Sequence, residues 1–250
     1  MSIEFNAKIE SYDVQPNAFA RLSSLFRIFQ KAACDDCDST GLTYEVLRDN
    51  NIAFVLTKMT LEIYEDIEMY DRLLVTAKPR GCRGASFLRD YELKKDGKVL
   101  ARCCSEWVII NFEKRRILRP SALDELGGVP VDKTDMFELS SPDMNFTEDN
   151  MIYTDTRKVY YSQIDRNNHM NNTFYPDIVY DYLPESFKTS LKNTKLTIRY
   201  ASEIGCGDEY DIFTTEENNL FSLVAKNKNT DKIIFTAKTE KLLDMKRARD

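Results

Sequence analysis

Apolar residues fall along this chain in two rhythms, one of period two and one of helical period, and the pair of rhythms occurs twice. In the first half an alternating stretch over 3–14 predicts a strand, and Leu22, Leu25, Phe26 and Phe29 then recur on one helical face. Strands are predicted over 53–64, 71–77, 84–94 and 98–111, the last two joined by a Lys95-Asp96-Gly97 hairpin turn. The second half opens with an extended stretch over 151–164. A short helix is predicted from about Thr173, with Phe174, Ile178, Val179 and Tyr182 on one face. Asn171 or Asn172 caps it, and Pro176 falls in its first turn, where a missing N–H is tolerated. Strands near 194–204, 209–215, 220–227 and 232–243 complete this half.

The halves also share residues. Thr57-Lys58-Met59-Thr60-Leu61-Glu62-Ile63 precedes Thr194-Lys195-Leu196-Thr197-Ile198-Arg199-Tyr200 by 137 positions, and at that offset Ile67 matches Ile204 and Asp71 matches Asp208. Lys98-Val99-Leu100 matches Lys232-Ile233-Ile234 at an offset of 134, with Glu106 matching Glu240. Self-similarity of this kind marks two diverged copies of one domain, with loop deletions producing the drift. The expected organisation is a first domain over 1–125, a polar linker over 126–149 and a second domain over 150–250. One helix against a strongly antiparallel sheet, twice over, is an α+β layout. It suggests a tandem double hotdog, each half an antiparallel sheet wrapped around a central helix.

The run Asp165-Arg166-Asn167-Asn168-His169-Met170-Asn171-Asn172 holds the only histidine among 250 residues. In an extended segment Asp165, Asn167 and His169 project from one side. A carboxylate, a carboxamide and an imidazole on one edge can orient, polarise and move protons, which acyl transfer requires. Gln15, Asn17 and Phe19 align with these three at an offset of 150, so imidazole has become phenyl and carboxylate has become amide. One active site per chain is expected, in the second half.

Composition narrows the classes. Hydrophobic residues at 42% and aromatics at 11% supply a substantial core. No apolar run approaches the roughly 18 residues of a membrane span, and Met1-Ser2-Ile3-Glu4-Phe5 lacks the pattern of a secretory signal, so a cytoplasmic protein is expected. Six cysteines without an export signal do not form a disulfide framework. Cys34-Asp35-Asp36-Cys37 has redox or zinc spacing, but it lacks a second pair, and acids between the thiols raise their pKa. With one histidine and no phosphate-binding glycine loop, no cofactor and no metal are expected. A net charge of -6 argues against a nucleic-acid binder. The charge is uneven, however: residues 78–119 hold twelve Lys and Arg against five acids. Such a region steers an acidic partner, unless its charges are spread over the solvent faces of strands.

These residues resemble the acyl-acyl-carrier-protein (acyl-ACP) thioesterases of plant plastids and bacteria. The likeness spans nearly the whole chain, apart from the plastid transit peptide. The histidine run is similar to the family's D-x-N-x-H-x-N-N, and Leu196 to Gly205 looks like its L-x-Y-x-x-E-C-G strand, whose glutamate falls at Glu203. Ser105-Glu106-Trp107-Val108-Ile109-Ile110-Asn111 with Arg115-Arg116 resembles a strand ending in W-V-M-M-N and a downstream R-R. One departure is clear: the cysteine discussed as a nucleophile in plant members is Ile204 here, and Cys206 does not occupy that slot.

The resemblance implies hydrolysis of the fatty acyl thioester on an acyl carrier protein bearing a 4′-phosphopantetheine arm. It implies Asp165, Asn167, His169 and Glu203 as the catalytic residues. Glu203 would activate water and Asn167 would hydrogen-bond the thioester oxygen. His169 would polarise the carbonyl, relay a proton or protonate the thiolate; Asp165 would orient His169 or attack the carbonyl itself. The first half would bind the acyl chain, with Trp107 among its candidates. An acyl-CoA thioesterase, a non-catalytic acyl-thioester sensor and a structural protein remain as alternatives, and a monomer or a homodimer fits.

Overall fold

The structure is a computed structural model describing residues 2–134, 136–146 and 150–242. The first strand is shorter than its alternation predicts. β1 covers Ile3–Lys8, and Ser11–Asp13 then forms a 3-10 turn because the Asp13 carboxylate accepts the Glu10 N–H at 3.0 Å. α1 (Leu22–Ser39) buries Leu22, Leu25, Phe26, Phe29, Ala32 and Ala33, the stripe its spacing predicts. α2 (Tyr44–Asp49), capped by the Thr43 hydroxyl, is too short for its periodicity to announce it.

The strands β2 (Ile52–Ile63), β3 (Arg72–Arg83), β4 (Ser86–Lys95) and β5 (Lys98–Asn111) follow. Asp96 and Gly97, at φ 50° and 80°, make the left-handed turn between the last two. β6 (Arg116–Ile117) folds back on the end of β5. In the second half β7 (Ile152–Lys158) precedes α3 (Tyr175–Tyr182), which a 3-10 turn over Asn172–Phe174 introduces. The Asn171 side chain caps that turn and Pro176 lies in the first turn of α3. α4 (Glu185–Lys188), β8 (Thr194–Tyr200), β9 (Glu209–Glu217), β10 (Leu220–Asn227) and β11 (Ile233–Lys241) complete the described chain. Position 243, the predicted end of the last strand, lies outside the described residues.

Among the described residues these strands form one antiparallel sheet of eleven, ordered β1-β3-β4-β5-β2-β8-β11-β10-β9-β7, with β6 on β5. The halves therefore join strand to strand, through β2 and β8. The main apolar core runs under both, from Phe26 and Phe29 of α1 to Ile178 and Val179 of α3. The Ser23 N–H donates to Asp177 at 3.0 Å and ties one helix to the other. Each half wraps an antiparallel sheet around its helix, and the fold is a tandem double hotdog.

The polar connection is a strap laid on the sheet face away from the helices. Arg80 Nη1 donates to the carbonyls of Asp132 and Thr134 at 2.7 and 2.9 Å, and the Arg102 guanidinium lies 4.7 Å from the Phe137 ring centroid. Lys195 donates to Ser140 Oγ at 2.7 Å, and Lys238 donates to the Asp143 carbonyl beneath Phe146. These anchors sit on β3, β5, β8 and β11, so the strap crosses the seam between the halves.

The basic stretch 78–119 is largely neutralised inside the molecule, and only part of it is a free surface. Arg80 pairs with Asp90 and Arg89 with Asp36, all four buried. Arg83 reaches Glu106, Lys94 and Arg102 share Glu92, Lys95 meets Asp71 and Lys98 meets Glu65. Among the described residues Lys114, Arg116 and Arg119 are exposed and form no ion pair.

Candidate active site

Asp165 to His169 form a tight turn, not the extended edge their alternation predicts. The Asp165 N–H donates to the His169 carbonyl at 2.9 Å, and the Asn168 N–H donates to the Asp165 carbonyl at 3.0 Å. Asn168 takes φ 64°, a left-handed conformation that asparagine tolerates better than most residues. Asp165 Oδ1 accepts the Asn167 N–H at 2.8 Å, closing an Asx turn. The carboxylate of Asp165 thus serves the backbone of the turn and makes no hydrogen bond to the imidazole.

The first-half copy repeats this turn and fills it. Gln15 N–H donates to the Phe19 carbonyl at 2.9 Å, Ala18 N–H donates to the Gln15 carbonyl at 2.9 Å, and Ala18 takes φ 63°. There the Asn17 amide is committed to the Lys188 carbonyl at 3.0 Å. Asp66, opposite Glu203 in the repeat, accepts from Ser190 Oγ and from the N–H groups of Leu191 and Lys192. Second-half residues occupy those polar groups, whereas the Asn167 carboxamide is exposed and makes no hydrogen bond among the described residues.

Glu203 lies beyond the end of β8, so the strand alternation does not place it. The Ala201 and Ser202 N–H groups both reach the Ile234 carbonyl, at 2.8 and 3.1 Å, which breaks the ladder. Ile204 is buried, its carbonyl accepts the Met170 N–H at 2.9 Å, and the histidine turn is thereby held beside Glu203. His169 Nε2 stands 3.1 Å from Glu203 Oε2, with the two side chains 29% and 38% exposed. Water therefore has access to the pair.

Two further residues belong to this site. Arg115, at φ 53° in the turn between β5 and β6, sends its guanidinium across the seam to Glu203 Oε2, the oxygen that faces His169. Arg115 stands in the downstream R-R motif, but nothing in its local sequence tells that it crosses to the other half. Tyr175 is buried against Tyr200 and Phe235, with ring centroids at 5.2 and 4.8 Å. Burial pushes its phenol well above the usual range, and the negative charges of Asp165 and Glu203 add to the effect. The phenol therefore stays protonated.

Trp107 packs against both the main core and a satellite cluster around Leu42 and Phe87, and its indole N–H donates to Ser105 Oγ at 2.7 Å. Burial and the adjacent acids raise the thiol pKa values of Cys34 and Cys37, so neither cysteine is activated. Among the described residues no group of three or more His, Cys, Asp or Glu side chains is placed to hold a metal ion.

These features define a tandem hotdog protein with a histidine–glutamate pair at the seam of its halves. The chain belongs to the acyl-ACP thioesterase family: the N-terminal domain of that family matches residues 2–125 and its C-terminal domain matches residues 147–242. It is 24% identical over 234 residues to oleoyl-acyl carrier protein thioesterase 2, chloroplastic, of Arabidopsis thaliana, across 84% of this chain and 61% of that protein. It is 25% identical over 230 residues to the palmitoyl-acyl carrier protein thioesterase, chloroplastic, of Gossypium hirsutum, across 84% of this chain and 54% of that protein. The chain thus spans less than two thirds of the length of these plant relatives. Its fold matches the crystal structure of an acyl-ACP thioesterase from Bacteroides thetaiotaomicron with a TM-score of 0.81 at 21% identity, over 96% of this chain and 97% of that one. It matches the 12:0-ACP thioesterase from Umbellularia californica with a TM-score of 0.75 at 18% identity, over 96% of each chain.

Proposed function

We propose that this protein hydrolyses the fatty acyl thioester of acyl carrier protein, releasing free fatty acid and ending elongation of the chain. The observation that carries the proposal is the close His169–Glu203 pair, Nε2 3.1 Å from Oε2, with His169 in the turn that also presents the unoccupied carboxamide of Asn167, in a chain of this family. Glu203 takes a proton from water, and the water oxygen bonds to the thioester carbonyl carbon. The Asn167 carboxamide donates to the oxygen as it becomes negative; such a donor is worth roughly 3 kcal/mol, or about 10²-fold in rate. The carbon–sulfur bond then breaks, and His169, in contact with Glu203, passes the proton to the departing thiolate.

Asp165 is assigned to shaping the turn, because its Oδ1 already accepts the Asn167 N–H. This favours the water route over attack by Asp165, because the hydrogen bond fixes that carboxylate to the backbone of its own turn. The first half, over 1–125, is read as the acyl-chain binding domain, 126–149 as the strap and 150–250 as the catalytic domain. The matched spans and the filled first-half turn support that division. The carrier protein is read as docking on Lys114, Arg116 and Arg119 beside Arg115, and a cytoplasmic location goes with that partner. No described helix is long and apolar enough to cross a membrane.

The test is free fatty acid release from a ladder of acyl-ACP thioesters, run beside the matching acyl-CoAs, with Glu203→Gln as control. Preference for the carrier-protein series, cut at least tenfold in the variant, is the expected result. Preference for CoA would make the protein an acyl-CoA thioesterase. Tight binding without release would make it a sensor.

A further inference from the structure

Two arginines that meet on Tyr44, one of them adjacent to Asn167 in the chain, have no part in the reaction above. Arg166, the residue before Asn167, has its guanidinium carbon 3.0 Å from the Tyr44 ring centroid, so a side chain of the second half rests on α2 of the first. Arg48 donates to Tyr44 Oη at 3.0 Å, and its guanidinium lies 6.0 Å from the Tyr44 ring centroid and 5.3 Å from that of Phe112. Both arginines are exposed, and among the described residues neither forms an ion pair. The nearby acids are engaged elsewhere or stand off. Asp165 holds the Asn167 N–H and Asp35 pairs with Lys31. Asp38, whose charge reaches the same Cys34 thiol as that of Arg166, pairs with neither arginine.

A guanidinium laid against an aromatic ring is held in place while its N–H donors stay free at the edge. Two such groups on one tyrosine bring like charges together, and an anion between them relieves that repulsion. Their place in the chain also points to the thioester: Arg166 precedes Asn167, and Phe112 stands three residues before the Arg115 that reaches Glu203.

We propose that Arg48 and Arg166 bind the phosphate of the substrate's phosphopantetheine arm, gripping it where the arm enters between the halves. This rests on the thioesterase reading of the site. The same chemistry is offered by the phosphodiester of a carrier protein and by the diphosphate of CoA.

The experiment compares kcat/KM for one acyl group on 4′-phosphopantetheine and on pantetheine, in the wild type and in Arg48→Gln/Arg166→Gln. The wild type should prefer the phosphorylated thioester by about tenfold or more, and the double variant should lose that preference. An equal preference in both proteins, or none in the wild type, overturns the proposal. Acyl-ACP and acyl-CoA run in parallel identify the source. A rise in KM confined to acyl-ACP assigns the phosphodiester, a rise for acyl-CoA as well assigns phosphate on either carrier, and a rise for neither overturns the site. If the wild type hydrolysed nothing, the thioesterase reading would fail separately. Calorimetric binding of phosphopantetheine would still decide the site: loss in the double variant supports it and unchanged binding overturns it.

Discussion

Thr197 donates its hydroxyl to Thr60 Oγ1 at 3.2 Å, and these two residues occupy the same place in the two repeats. They also face each other in the β2–β8 ladder, with Met59 opposite Ile198 and Leu61 opposite Leu196 on either side. Since the repeat offset equates Met59 with Leu196 and Leu61 with Ile198, a local two-fold axis passes through the threonine pair. The strands thus pair as two identical subunits would, within one chain. Both threonines are buried, so removing one hydroxyl leaves the other without a partner. Thr60→Val and Thr197→Val should each destabilise the protein by about 1–2 kcal/mol, and the double variant by less than their sum. Chemical denaturation of the four proteins measures this; strict additivity would mean that the hydroxyls do not interact.

Arg115 and His169 share one oxygen of Glu203, which fixes the carboxylate between an anchor and a proton carrier. Arg115→Gln should lower kcat about tenfold while KM for a carrier-free thioester barely moves, and Arg115→Lys should recover part of the loss. Because the pair is exposed, stability should change by less than about 1 kcal/mol. An unchanged kcat would leave Arg115 no part in positioning Glu203.

The repeat, the long helix and most strands were legible because their signals are local. The spacing of Leu22, Leu25, Phe26 and Phe29 and the Asp96-Gly97 turn require no knowledge of the rest of the chain. The histidine run was legible in composition but not in shape. Its polar alternation reads as a strand, while a left-handed Asn168 and an Asp165 side chain bonded to the backbone fold it into a turn. The neighbouring asparagines Asn167 and Asn168 are the signal that favours a turn. The reach of Arg115, the strap over the sheet and the internal pairing of the basic stretch were not legible, since each depends on side chains meeting across the sheet or the seam.

Burial pushes the Glu92 carboxyl up, yet hydrogen bonds from Lys94 and Arg102 outweigh it and hold the carboxyl below the usual range. Its contacts are 2.5 Å to Lys94 Nζ and 2.8 Å to Arg102 Nε. With the folded pKa below the unfolded one, the unfolded chain binds more protons between the two values, and stability rises with pH through that window. The contribution is complete above the unfolded value of about 4.3 and is lost as pH falls through the folded value. The stability difference between wild type and Glu92→Gln should therefore be largest near neutral pH and vanish in acid. Unfolding titrations at several pH values test this, and a difference that persisted in acid would point to packing instead of charge.

Lys114, Arg116 and Arg119 are the charges of the basic stretch left free for a partner, and they flank the turn that carries Arg115. An acidic carrier protein arriving there would feel them over about 8–10 Å at physiological salt, so they should govern encounter more than chemistry. Lys114→Glu/Arg116→Glu should raise KM for acyl-ACP about tenfold at low salt, with kcat nearly unchanged. Raising the salt should weaken the wild type towards the variant, because screening removes what the substitution has reversed. The matching acyl-pantetheine, which has no protein part, should respond little to either change. Charge reversal at Arg83, Lys94 or Lys98 should have a smaller effect on carrier binding, since those side chains already face acids of this chain. Salt-independent turnover of acyl-ACP by the wild type would remove the docking role from this surface while leaving the His169–Glu203 chemistry intact.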